Sequence, residues 1–131
     1  MNAPSVDIKD LLDGDSNLGL TFGQDLFVSE MPDSPDACVC IYDSGGGSPD
    51  ADNAIEVPTV QVSVRGAKGG YLAAHALITE IREFLHGLAS TEINGARYLL
   101  IWAVTDVAHV GTDQNNRSML TINLQIRRTA A

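Results

Sequence analysis

Residues 24–46 read QDLFVSEMPDSPDACVCIYDSGG, and residues 58–66 read PTVQVSVRG. The first run joins two short apolar strands, Leu26 to Val28 and Ala37 to Tyr42, through the elbow Met31-Pro32-Asp33-Ser34-Pro35-Asp36. Pro32 and Pro35 bar both a helix and a continuous ladder there, so the chain must turn. The run then stops at the glycines Gly45, Gly46 and Gly47. In the second run Val60, Val62 and Val64 alternate with Gln61, Ser63 and Arg65, the period-two pattern of a half-buried strand. Between the runs, Asp43 to Val57 has no periodicity and reads as a loop of about 15 residues, a length usually reserved for functional or mobile segments.

Working outward, Val6, Ile8, Leu11 and Leu12 followed by Gly14 predict a short N-terminal helix. Tyr71 to Leu88 predicts the main helix, with Leu77, Ile81, Phe84, Leu85 and Leu88 as its apolar stripe and Ala73 and Ala76 extending it. Asn94-Gly95 marks a hairpin, because that pair readily takes the two positive φ angles of a type I′ turn. Tyr98 to Ala103 is almost wholly apolar and reads as a central strand, which makes Trp102 a core residue. After a polar loop over 113–118, Leu120, Ile122, Leu124 and Ile126 form one face of a last strand, with Thr121, Asn123, Gln125 and Arg127 on the other. The order predicts an α+β fold: one mostly antiparallel sheet, a long helix packed on a face, and a short N-terminal helix.

A chain of 131 residues is one domain's worth, taken here as residues 1–131, and long enough to bury a real core. No apolar run approaches the roughly 18–20 residues of a membrane span. Met1 to Asp7 has neither the basic nor the apolar part of a secretion signal, so synthesis and folding in the cytoplasm are expected. The net charge of −9 is uneven: residues 1–58 carry twelve acids and one base, residues 59–131 five acids and seven bases. An acidic chain without a Lys/Arg cluster is a poor ligand for duplex DNA, whose grip depends on cationic contacts. The polarity suits a head-to-tail contact between copies, with Arg65, Arg97, Arg127 and Arg128 available to meet the acidic part of a neighbour. Solvated acids that keep a small domain soluble are the plainer account.

Motifs for chemistry are missing. Cys38 and Cys40 are two apart, too close along one strand for an unstrained disulfide, and read as small apolar residues. His75, His86 and His109 are scattered and supply no zinc spacing. His86 falls in the last helical turn, where it would complement the dipole, and His109 lies on a loop. Gly45 to Gly47 lead to Pro49, Asp50, Asp52 and Glu56 rather than to a helix, and those acids would repel phosphate. Gly66 to Gly70 precede a helix without nucleotide-binding spacing. Asp33, Asp36, Asp43, Asp50 and Asp52 lack the calcium-loop pattern. No Gly-x-Ser-x-Gly elbow occurs. The expectation is therefore no enzyme, no cofactor and no bound metal.

Several pieces, in order, resemble the minor capsid and tail terminator proteins of tailed bacteriophages. They are Asp25-Leu26-Phe27, Met31-Pro32-Asp33-x-Pro35-Asp36, Tyr42-Asp43-Ser44-Gly45-Gly46 and Pro58-Thr59-Val60-Gln61-Val62-x-Val64-Arg65-Gly66. Ile81-Arg82-x-x-Leu85-His86-Gly87-Leu88, Asn94-Gly95-x-Arg97-Tyr98 and Trp102 follow, so the resemblance runs from about residue 25 to about residue 127. It implies a structural virion protein at the neck, the head–tail joint. Such a protein closes the tail tube as a ring, commonly of six copies, and its partners are itself, the tail tube protein and the head–tail connector proteins. The loop from Ser44 through Gly45, Gly46, Gly47, Asp50 and Asp52 to Glu56 would then order on docking, with Arg65 and Arg97 as further contacts.

A different class of reading is a monomeric acidic inhibitor, a DNA mimic seated in the basic groove of a host protein. The −11 of the first 58 residues motivates it. Placement of many acids in loops rather than along regular elements counts against it.

Overall fold

In the computed structural model, which describes residues 1–130, the two alternating runs become neighbours. Strand β3 (Pro58–Lys68) pairs antiparallel with the last strand, β7 (Arg117–Ala130), so that Val60 faces Leu124, Val62 faces Ile122 and Val64 faces Leu120. All six are fully buried or nearly so. Strand β2 (Cys38–Gly46) pairs antiparallel with β3, and the three-residue β1 (Leu26–Val28) lies parallel to β2 at one end of the sheet. At 14 residues β7 is long enough to serve two partners along its other edge. Its first half takes β6 (Ala108–Thr112) and its second half takes β5 (Ala96–Ala103), which in turn pairs with β4 (Leu88–Ile93). The order is β1-β2-β3-β7-β5-β4, with β6 beside β7, and the sheet curls into a half-barrel.

Two helices close one face. Helix α1 (Pro4–Asp13) packs on β1, β2 and β3, and α2 (Tyr71–Leu85) on β3, β7 and β5. Helix α1 buries Ile8 and Leu12. Its first turn is held by Asp43 of β2, whose two carboxylate oxygens accept from the Ser5 N–H at 2.9 Å and the Ser5 hydroxyl at 2.6 Å. A carboxylate at that end also suits the helix dipole. The α+β class holds.

Several expectations are corrected. Helix α2 is 15 residues and stops at Leu85, so Leu88 belongs to β4. Its buried face is Ala74, Ile78, Ile81 and Leu85, with Leu77 and Phe84 at the margin, while Ala73 and Ala76 are exposed. This helix is apolar on more than one side, and packing chooses the face. Chain order also misleads at residues 43–57: β2 continues through Gly46, and the segment is the far end of the β2–β3 hairpin. Trp102 pairs with Gln125 on the outward face of β5 and is half-buried rather than core. His109 lies in β6, not a loop, with the Tyr71 ring 4.8 Å away. His86 follows the helix in extended conformation, and its Nδ1 accepts the Ala103 N–H at 2.9 Å. Asn94 and Gly95 do take positive φ, 51° and 81°, as the hairpin motif requires.

Candidate assembly surface

The Ser44–Glu56 segment has a tied base and an exposed tip. Ser44 and Thr59 hydroxyls share a hydrogen bond of 2.8 Å across the hairpin. Gly46 sits at φ 128°, where a Cβ would fall 2.3 Å from the Val57 carbonyl oxygen, so only glycine fits. At the tip the Asp50 carboxylate accepts from the N–H of Asp52 at 3.0 Å and of Asn53 at 3.2 Å, and from Asn53 Nδ2 at 2.9 Å. The Asn53 bonds hold the Asp50 carboxyl below its ordinary range. Gly45, Gly47, Asp50 and Asp52 are all exposed.

Glu56 closes the segment onto β7. Its backbone exchanges two hydrogen bonds with Arg128, of 2.8 and 3.0 Å, and its carboxylate lies 3.0 Å from the guanidinium. Behind it stands a buried polar cluster. Tyr98 OH and Asn94 Nδ2 donate to the Asp7 carboxylate, and Arg128 donates to Tyr98 OH at 3.1 Å and to the Asn2 carbonyl at 2.9 Å. Burial, and then the bond to Asp7, pushes the Tyr98 phenol well above its usual pKa.

Arg65 is placed differently from the sequence expectation. It is 5% exposed and donates three hydrogen bonds: Nε to the Asp36 carbonyl at 2.7 Å, and a terminal nitrogen to the Pro32 and Pro35 carbonyls at 2.6 and 2.7 Å. Arg117, equally buried, reaches the Asp33 carboxylate at 2.9 Å, Asp36 at 3.1 Å and Asp113 at 2.8 Å. The two arginines clamp the proline elbow against the sheet beside Cys38, which pairs with Arg65 across β2 and β3. Arg65 therefore has little left to offer a neighbour. Arg97 does: it is 44% exposed, on the β4–β5 hairpin, with Glu92 at 3.8 Å. Lys68 and Arg127 are exposed too.

These pairings change how the charge asymmetry is read. Asp7, Asp33, Asp36 and Glu56 from the acidic part are bound to Arg117 and Arg128 from the basic part of the same molecule. Much of the polarity is spent inside the fold. What remains exposed and unpaired includes acid at the hairpin tip and at Asp13, Glu30, Glu80 and Glu83, and cation at Lys68 and Arg127.

Catalytic arrangements do not form. Both cysteines are free and buried, and burial raises their thiol pKa values, the wrong direction for a nucleophile. Among the described residues no group of three or more His, Cys, Asp or Glu side chains is placed to hold a metal ion. No helix among the described residues is long and apolar enough to cross a membrane. The concavity beside the Arg82–Asp106 ion pair contains His86 and Thr105, but His86 Nδ1 is occupied by Ala103, and Thr105 Oγ1 accepts from Asn123.

Sequence reasoning missed two apolar features. One is the exposed start of α2, Tyr71 and Leu72; the other is a groove beside β1 lined by Phe22, Phe27, Val28, Met31 and Pro32. The only signal in the sequence was apolar residues at positions that also looked able to pack inward.

Residues 15–130 match the family described as bacteriophage tail terminator protein. Among solved structures, a chain of "Virion of native gene transfer agent (GTA) particle" superposes with a TM-score of 0.74 at 17% identity, covering 96% of this chain and 94% of that one. At that identity the likeness is one of fold. No curated protein sequence matches.

Proposed function

Because this chain belongs to the bacteriophage tail terminator family, a structural family and not an enzymatic one, we propose that it caps the tail tube as a homo-oligomeric ring at the head–tail joint. The ring has about six copies, in keeping with closed cyclic assembly. The family match over residues 15–130 carries this reading. The mechanism is steric and cohesive. One face of the ring docks on the last tube ring, and the other offers no surface for a further tube subunit. Contact with the tube protein and the connector falls to the exposed tip, Gly47 through Asp52, and to Arg97, while Ser44, Gly46 and Glu56 hold the tip's base in shape.

The acidic-inhibitor reading loses ground on one observation. A mimic of DNA must present free carboxylates, and five of the twelve acids that motivated it are held in ion pairs within the chain.

Light scattering on a sizing column across a concentration series, with negative-stain images of the peak, tests the proposal. Rings of about six subunits with an open centre are expected, either free or on purified tail tubes. A monomer that ignores tail tubes at every concentration sinks it.

A further inference from the structure

Leu72 is the most exposed large apolar side chain described, at 81%, in the first turn of α2. Beside it Tyr71, 37% exposed, leans on His109 of β6, and the next residue on that strand, Val110, is 65% exposed. These residues make an apolar corner at the β6 side of the sheet. Tyr71, Leu72, His109 and Val110 are all exposed. Lys68, exposed, lies three residues before Tyr71 and is the positive charge nearest to the corner along the chain.

At the opposite end of the sheet, β1 is the outermost strand. Alongside it runs the apolar groove, with Phe22 49% exposed at its mouth and Glu30 on its wall. Lys9 sits over the Phe22 ring at 4.3 Å but is neutralised by Asp10 at 2.6 Å, so Glu30 sets the sign of charge there. The clamp formed by Arg65 and Arg117 fixes the elbow that carries Met31 and Pro32, which means the groove is built before anything enters it.

Corner and groove thus lie at two different edges of one sheet, separated by β2, β3 and β7. Four strand-to-strand steps of about 4.8 Å separate them by roughly 19 Å measured along the curled sheet. One is an exposed apolar corner with a cation three residues away in sequence; the other is an apolar concavity with an anion on its wall. Different, complementary patches at opposite edges are what a heterologous contact requires, and such contacts close into rings when the rotation permits.

Resting on the ring reading above, we infer that copies of this chain join head to tail by seating the Leu72 corner of one copy in the groove beside β1 of the next. Lys68 of the first copy then approaches Glu30 of the second. The contact accounts for the exposure of both apolar patches in the lone chain. It also leaves the acidic tip free for the tail tube and connector.

Cysteine cross-linking tests it. Leu72→Cys and Glu30→Cys are made as single variants and together, while native Cys38 and Cys40, 2% and 0% exposed, stay out of reach. Each single variant should fail to cross-link with itself. Their mixture should give a covalent dimer, and the double variant a ladder ending at the ring's full complement. In parallel, Leu72→Glu should lower the ring population at least about tenfold with unchanged melting temperature, since the side chain is outside the core. Self-linking of Leu72→Cys overturns the head-to-tail contact. Rings that persist in Leu72→Glu, with no cross-link in the mixture, overturn the contact and leave the ring reading standing. Absence of rings both free and on tail tubes removes both.

Discussion

The Glu56 carboxylate lies 3.0 Å from the Arg128 guanidinium, joining the root of the acidic hairpin to the far end of the last strand across 72 positions of sequence. Arg128 in turn stands against Tyr98 and the fully buried Asp7. One guanidinium therefore serves an outer partner that water can reach and an inner one that it cannot. The two should respond very differently to mutation.

Asp7→Ala removes the inner acceptor of Tyr98, Asn94 and Arg128 and is expected to cost about 3–5 kcal/mol, the range for breaking one side of a buried ion pair. Glu56→Gln, at the exposed side, should cost no more than about 1 kcal/mol. Urea unfolding of both variants measures this. Equal losses would show that the inner cluster has no special weight.

Arg65 holds three backbone carbonyls of the elbow at once. Lysine keeps the charge but not the planar fork, so Arg65→Lys should destabilise by about 2–3 kcal/mol. It should also expose residues 29–37 to limited proteolysis. An elbow as resistant in Arg65→Lys as in the parent chain would mean that the prolines alone shape it.

Gly46→Ala forces a side chain into φ 128° and against the Val57 carbonyl, whereas Gly45→Ala meets only the positive φ of 89°. The first should cost more than about 1 kcal/mol and more than the second. Thermal unfolding of the pair decides it, and the reverse order would exclude the Val57 contact as the cause.

Alkaline pH should weaken the fold. Burial pushes the Tyr42 phenol up to about 12, and Tyr98 is raised as well. In the unfolded chain both ionise near the ordinary tyrosine value of 10.0. A raised folded pKa means that the stabilisation is complete below that value and is lost as pH rises from there through the folded pKa. Stability should thus decline above about pH 10. Tyr98→Phe should flatten part of that decline. A folded-state ultraviolet titration in which both tyrosines ionise near 10 would contradict the assignment.

At the proposed docking tip Asp52→Lys, and on the β4–β5 hairpin Arg97→Glu, change exposed charges and should alter stability by less than about 0.5 kcal/mol. Their effect should appear instead in attachment to tail tubes, read by co-sedimentation at low and high salt. Unchanged sedimentation in both would remove these residues from the contact.

The local signals were sound where one element answers to one pattern. Period-two alternation over Val60–Val64 and Leu120–Ile126 placed β3 and β7, and Asn94-Gly95 placed the hairpin. Pro32 and Pro35 placed the elbow. Reading failed where several arrangements satisfied the same residues. Helix α2 is apolar on adjacent faces, and only the curve of the sheet selects Ala74, Ile78, Ile81 and Leu85. Short β6 has little alternation of its own and exists because β7 is longer than β5 and leaves an edge to pair.

The site divides in the same way. Composition and spacing alone determined that this chain has no catalytic or nucleotide-binding motif, and that its acids crowd into the first half. Where those charges go was decided in three dimensions. Arg65 and Arg128 look like surface strand ends in a one-dimensional reading, because a period-two pattern says which face a residue takes but not what folds over that face. The proline elbow covers one and the N-terminal helix the other. Sequence patterns record preferences set by near neighbours, whereas the Arg128–Glu56 and Arg117–Asp33 pairs join residues 72 and 84 positions apart.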